Sequence, residues 1–165
     1  RFAIQPDAFY GAGCSTINTV RIEGLTSDAD TIAVTNLGAV TCPLARTFGR
    51  WARYGVDRAA RQILGSALIR IETMGSYSCR NVAGTGRRSA HARAEAIDVA
   101  AFVLADGRRI SVLGDWNSGD ADEREFLRTV QRSACKRFGT VLGPDYNAAH
   151  ANHFHLEEGN GSFCR

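Results

Sequence analysis

The stretch "AIDVAAFVLADGRRISVL", Ala96–Leu113, consists of two apolar runs joined by Asp106-Gly107. Asp-Gly between β-prone runs marks a tight hairpin, because the central residues of such a turn take φ > 0. An antiparallel hairpin is therefore expected in the second half of the chain. Upstream, "ALIRIETM" (Ala67–Met74) alternates like a strand, and "TVRIE" (Thr19–Glu23) and "TIAVT" (Thr31–Thr35) are short and β-branched. Downstream, "HFHLE" (His153–Glu157) alternates as well, after the loop-like "GTVLGPDYNAAHAN". Two stretches carry the helical period. Pro43 opens "PLARTFGRWARYGVDRAARQIL", in which Gly49 and Gly55 predict a kink or break, and "DADEREFLRTVQRSACKRF" (Asp120–Phe138) has acids in its first turn. Between the elements, "SYSCRNVAGTGRRSAHARAE" (Ser76–Glu95) is a long aperiodic loop, the kind that carries function in a small domain. The expected fold class is α+β: a single domain over residues 1–165, with an antiparallel sheet flanked by helices.

At 165 residues one core is feasible. The composition, 44% hydrophobic and 22% charged, is that of an ordinary globular chain. No apolar run approaches the roughly 20 residues that cross a bilayer, so no transmembrane segment is expected. The net charge of +3, built from dispersed arginines and the single Lys136, is too small to argue for nucleic acid. It suits a polyanionic polymer such as a cell wall. Arg1 opens directly onto "RFAIQPDAFYG", and no signal peptide is read there.

Five cysteines, Cys14, Cys42, Cys79, Cys135 and Cys164, form no CxxC pair, which disfavours a zinc knuckle. Cys135 falls in a helical pattern with Phe126, Leu127, Val130, Ala134 and Phe138, and reads as a buried free thiol. The other four sit near turns or termini. The expected bridges are Cys14–Cys42 and Cys79–Cys164, in an oxidising compartment. Five reduced cysteines in a cytosolic protein is the competing reading.

The chemistry concentrates in the histidines. Three of the four lie within "NAAHANHFHLE": His150, His153 and His155. On a strand, His153, His155 and Glu157 share one face, with Phe154 and Leu156 on the other. The fourth, His91, precedes Asp98 by seven residues, and Asp98 stands in the apolar run Ala96–Leu104. A carboxylate there is costly unless paired or bound to a cation. Pairing with a nearby arginine and metal binding are both open. For a metal, neutral imidazoles with a carboxylate suit Zn²⁺. A two-histidine, one-carboxylate iron site usually begins with His-x-Asp, a shorter spacing than this one.

"SAHARAEAID" (Ser89–Asp98) resembles the S-x-H-x-x-G-x-A-x-D motif of D-Ala-D-Ala metallopeptidases, and "HFH" resembles the H-x-H of the lysostaphin/D-Ala-D-Ala-peptidase/hedgehog superfamily. "CPLARTFGRWAR", "IETMGSYSCRN", "SACKRFGTVLGPDYNAAHANHFHLE" and the final "FCR" bring the likeness closest to the bacterial extensin-like C-terminal domain family, over nearly the whole chain. The resemblance implies zinc held by His91, Asp98 and His155, with His153 as the proton-handling group. Around them it implies Ser89 orienting the first ligand loop and His150, Tyr77 and Glu157 in supporting or substrate-contacting places. Arg80 is the candidate for oxyanion or substrate-carboxylate binding. Ala94 departs from the motif by replacing its glycine. The implied activity is a zinc peptidase acting on peptidoglycan stem peptides or crosslinks, as DD-endopeptidase or carboxypeptidase, in the periplasm or outside the cell. Two alternatives stand beside it: a zinc-containing module that grips cell wall without cutting it, and a metal-free disulfide-rich interaction domain.

Overall fold

The computed structural model describes residues 1–165. The chain opens with short strands β1 (Phe2–Ile4), β2 (Ala8–Gly11), β3 (Cys14–Thr16), β4 (Thr19–Ile22), β5 (Leu25–Thr26), β6 (Thr31–Thr35) and β7 (Ala39–Thr41). Helix α1 (Cys42–Arg50) follows, then β8 (Leu68–Gly75), β9 (Ala96–Leu104), β10 (Arg109–Ser111), the single-turn α2 (Val112–Asp115) and α3 (Ala121–Cys135). Strands β11 (Thr140–Leu142), β12 (Phe154–Glu157) and β13 (Phe163–Cys164) complete the chain. The result is α+β and mostly sheet. The main sheet has eight strands, with path β13-β11-β12-β9-β8-β6-β5 and β10 on β9; β1-β4-β7 and β2-β3 form smaller sheets.

The Asp106-Gly107 hairpin forms, pairing Arg109 with Val103, and Gly107 takes φ +92°. The main sheet is mixed rather than antiparallel: β6 runs parallel to β8 and β13 parallel to β11. Its middle, β8, β9, β12 and β11, is antiparallel, and this is the part that carries Asp98 and His155, with His153 just before β12. β9 is central, with eight of its nine residues buried, which is why it reads as a nearly continuous apolar run.

The helix opened by Pro43 does not break at its glycines. It continues from α1 through wider π turns at Trp51–Asp57 and Ala60–Leu64, and ends at Gly65 with φ +68°. Gly55 is there for closeness: a Cβ would lie 2.2 Å from Ser133 Oγ and 2.9 Å from Trp51 Cδ1, so α3 approaches where a side chain would stand. Trp51 donates its indole N–H to Val130 O at 3.0 Å and packs among Phe48, Phe102 and Phe138. One core of 31 buried residues results, joining the main sheet and the β1-β4-β7 sheet to α1, α2 and α3. Helix α3 starts from a capping box, in which Asp120 Oδ1 accepts from Glu123 N–H while Glu123 returns the bond.

The expected disulfides are corrected. The bridges are Cys14–Cys79 and Cys135–Cys164, and Cys42 is the free cysteine. Cys135 does lie on the helical pattern, but as the last residue of α3 it is only partly buried, and its side chain meets β13. Cys42 begins α1 and packs half-buried on the core instead. β3 lies beside the long loop, which brings Cys14 to Cys79. Closing loops of 65 and 29 residues, the bridges stabilise by about 4 kcal/mol each in the chain-entropy account. Peptide mapping without reductant should recover these two pairs, with Cys42 alkylated.

Gly55→Ala should destabilise by about 1–3 kcal/mol, the cost of forcing a methyl into packed space. Thermal denaturation should show Tm lowered by roughly 2–4 °C per kcal/mol. An unchanged Tm would show that the turn Trp51–Asp57 and α3 are free to move apart.

Candidate metal centre

Asp98 is the third residue of β9. Across the ladder His155 of β12 is its directly opposed partner, and on the other side stands Gly75 of β8. Cross-strand neighbours of this kind hold their Cβ atoms about 5 Å apart, so carboxylate and imidazole meet without any loop to position them. His91 arrives from the loop. Ser89 Oγ accepts its backbone N–H at 3.3 Å and starts the single 3₁₀ turn Ala90–Arg93. Ala94 ends that turn with φ +55° and ψ 32°, its N–H on His91 O at 3.1 Å and its O taking Thr41 N–H at 3.0 Å. This is the motif's glycine position, and it does require the left-handed region. Alanine bears roughly 1–2 kcal/mol of strain there, held in place by complete burial.

The three side chains converge. His155 Nδ1 lies 2.9 Å from Asp98 Oδ1, His91 Nε2 lies 3.2 Å from Asp98 Oδ2, and the two imidazoles stand 3.2 Å apart, Nε2 to Nδ1. All three residues are buried. Their outward nitrogens are fixed: His91 Nδ1 donates to Ser76 O at 2.5 Å and His155 Nε2 to Glu157 Oε1 at 2.8 Å. Each imidazole therefore turns its other nitrogen inward, toward the carboxylate. Carbonyl–histidine and carboxylate–histidine pairs are the usual outer support of metal-binding imidazoles. The donor set of two nitrogens and one carboxylate lies within 4.8 Å, a group that could hold a metal ion.

The charges follow from this packing. Burial alone would raise the Asp98 pKa, but hydrogen bonds from His155 and His91 outweigh it and hold the carboxyl far below the usual range. Burial alone would lower His155, but Asp98 and Glu157 on its two nitrogens push it up to about 9. Its hydrogen bond also depresses Glu157.

The remaining candidates sit around this group. His153 Nε2 is 3.5 Å from Asp98 Oδ1, and its Nδ1 donates to Asn152 Oδ1 at 2.7 Å. Burial lowers its pKa, so it is neutral with Nε2 free to accept a proton. His150 lies over the pair, its ring 5.0 Å from His153 and 5.8 Å from His155, with Nδ1 on Asn147 Oδ1 at 2.6 Å. Burial and the neighbouring imidazoles lower it to about 4. Arg80 reaches Asp98 Oδ2 at 3.9 Å from a half-exposed position. Tyr77 does not join the cluster; its ring packs 5.2 Å from Tyr10 in the adjoining cleft. A second groove, about 540 Å³ beside Cys42 and Arg50, shares no residue with the cluster.

The model of the extensin-like protein C-terminus family matches residues 1–165. The chain belongs to that family. Neither curated proteins nor solved structures give a match. In this family member the Ser76 carbonyl, Asn147 and Asn152 complete the site, and sequence reasoning had passed over all three. Asn152 carried a signal, since a histidine that must present one nitrogen needs an acceptor for the other. A backbone carbonyl carries none.

The titration of His155 has a stability consequence. Its folded pKa of about 9 exceeds the ordinary 6.5, so the stabilisation from holding it protonated between Asp98 and Glu157 is complete below pH 6.5 and disappears as pH rises through 9. After chelator treatment Tm should therefore fall across pH 6.5–9, and His155→Gln should flatten that limb. A divalent cation must displace the same proton, so uptake near pH 7.5 should release about one proton per ion, read by calorimetry in buffers of differing ionisation enthalpy. A Tm independent of pH in that window would contradict the arrangement.

Proposed function

We propose that the protein is a zinc peptidase that hydrolyses peptide bonds of peptidoglycan, in stem peptides or crosslinks, in the periplasm or outside the cell. The observation that carries this reading is His153: a neutral, buried imidazole whose Nε2 lies 3.5 Å from Asp98, beside a three-donor cluster that does not need it for charge balance. Two imidazoles and one carboxylate are a zinc donor set, and three protein ligands are the number found in catalytic rather than structural sites. The likeness of "SAHARAEAID" and "HFH" to the D-Ala-D-Ala metallopeptidase and lysostaphin motifs supports the substrate class. The two disulfides are compatible with an extracytoplasmic location, and no helix is long and apolar enough to cross a membrane.

His91 Nε2, Asp98 and His155 Nδ1 would hold zinc, which would supply Lewis acidity and lower the pKa of a water toward neutral pH. The protein does the rest. Ser76 O and Glu157 keep the two imidazoles in one tautomer. His153, fixed by Asn152, accepts the water's proton at Nε2 and returns it to the leaving amine. The Arg80 guanidinium, close to Asp98 and half exposed, offers positive charge to the developing oxyanion or to a substrate carboxylate. His150, neutral and packed edge-to-face against Tyr146, covers the pair of imidazoles.

The second reading is a zinc-containing module that binds cell wall without cutting it, and it has one observation in its favour. His153 Nε2 is close enough to Asp98 to complete a closed, four-ligand site. Paired substitutions separate the two. His155→Ala should lose zinc and activity together. His153→Ala should keep zinc while kcat on peptidoglycan fragments falls roughly 10²–10⁴-fold. Wild-type digests should show new chelator-sensitive products by mass analysis. Loss of zinc from His153→Ala would favour the closed site and replace the peptidase by the binding module.

A further inference from the structure

We propose that the cleft walled by Tyr10 and Tyr77, beside the metal centre, is a saccharide subsite that seats the glycan strand of the substrate. The proposal rests on the peptidoglycan reading of the centre and adds the part of the polymer that is recognised there.

The cleft measures about 630 Å³, within the range of small-molecule sites. None of the thirteen residues that line it is charged. Its polar groups are amides and hydroxyls, chiefly Gln5, Asn36 and Ser76, and its walls include the two tyrosine rings and Met74. That set matches an N-acetylated sugar, which is neutral, presents C–H faces to aromatic rings and offers hydroxyl and acetamido groups to amides. Stem peptides carry free carboxylates and amines, and a cleft built for them would meet those with charged side chains.

Three details describe the walls of the cleft. Tyr10 is 58% exposed although its ring stacks on Tyr77 at 5.2 Å, which leaves an aromatic face open. The Ser76 hydroxyl is buried without a hydrogen-bond partner. Asn36 is held in the left-handed region at φ +57° and commits its Nδ2 to Thr73 O at 3.3 Å.

The aromatic wall is rigid for a covalent reason. Cys14–Cys79 joins the hairpin that bears Tyr10 to the loop that bears Tyr77, and Arg88 Nε adds a bond to Ala12 O at 2.6 Å. A wall fixed before binding loses little entropy when the sugar arrives. The cleft is joined to the centre through the backbone: Ser76 lines the one and its carbonyl orients His91 in the other, while Gly75, also on the cleft, pairs with Asp98. A sugar seated there would leave its attached peptide facing the metal ligands.

The test uses the whole chain and a peptide-free probe, a β-1,4-linked N-acetylglucosamine tetramer, followed by amide NMR and calorimetry. Binding should shift the amides of Gln5, Tyr10, Asn36 and Tyr77. Tyr10→Ala should weaken it about tenfold, one stacked ring's worth, while Tyr10→Phe retains it. Joint Cys14→Ser and Cys79→Ser should weaken it as well, and zinc content should be unchanged in both Tyr10 variants. No binding by the wild type, shifts confined to another surface, or full affinity in Tyr10→Ala would overturn the subsite. Hydrolysis of a sugar-free stem peptide is followed separately. Its absence with saccharide binding intact would overturn the peptidase and leave the subsite standing.

Discussion

A carboxylate in the middle of an apolar strand costs several kcal/mol unless its charge is met, and Asp98 is placed in such a strand. Much of the surrounding structure answers that demand. β12 brings His155 to the opposite rung, the long loop brings His91 to the other oxygen, and Arg80 approaches from solvent. Removing one partner would leave a buried charge uncompensated, which costs more than the pair contributes while intact. The register between β9 and β12 is thus coupled to the charge balance. A one-residue slip would turn His155 to the other face and leave Asp98 without its closest cation.

The histidines in turn are oriented from outside. Ser76 O and Glu157 each hold an outward nitrogen, so the inward nitrogens meet at one point. Asn152 and Asn147 do the same for His153 and His150. Three neighbouring imidazoles acquire different protonation from their surroundings: His155 is pushed up by two carboxylates, whereas His150 and His153 are pushed down chiefly by burial.

The loop from Ser76 to Glu95 would be a poor support by itself, since it is polar and aperiodic. It is held by Cys14–Cys79, by the Asn81–Arg88 bridge and by the capped turn at Ser89. Ala94 shows how firmly, for a left-handed alanine persists only where its surroundings over-determine it. The same clamp fixes the Tyr10–Tyr77 wall, so the cluster and the cleft share one mechanical anchor.

Local chemistry made several elements readable from the sequence alone. Asp106-Gly107 dictates a hairpin because its backbone needs φ > 0, Asp120 and Glu123 cap a helix through their own side chains, and alternation in "HFHLE" sets which residues share a face. The residue types of the candidate site were equally legible, since a carboxylate in an apolar run and a His-x-His pair stand out against their neighbours. What needed the tertiary structure was everything set by pairing at a distance. His155 meets Asp98 across 57 residues through strand register, and the Ser76 carbonyl supports His91 without any side-chain signature. Gly55 reads as a helix weakness and proves to be a contact with α3. The cysteines illustrate the limit best. Position along the chain suggested that Cys42 was bridged and Cys135 free, and the fold reverses both, because a disulfide forms where two Cα atoms come within about 5.5 Å, a distance that no local pattern encodes.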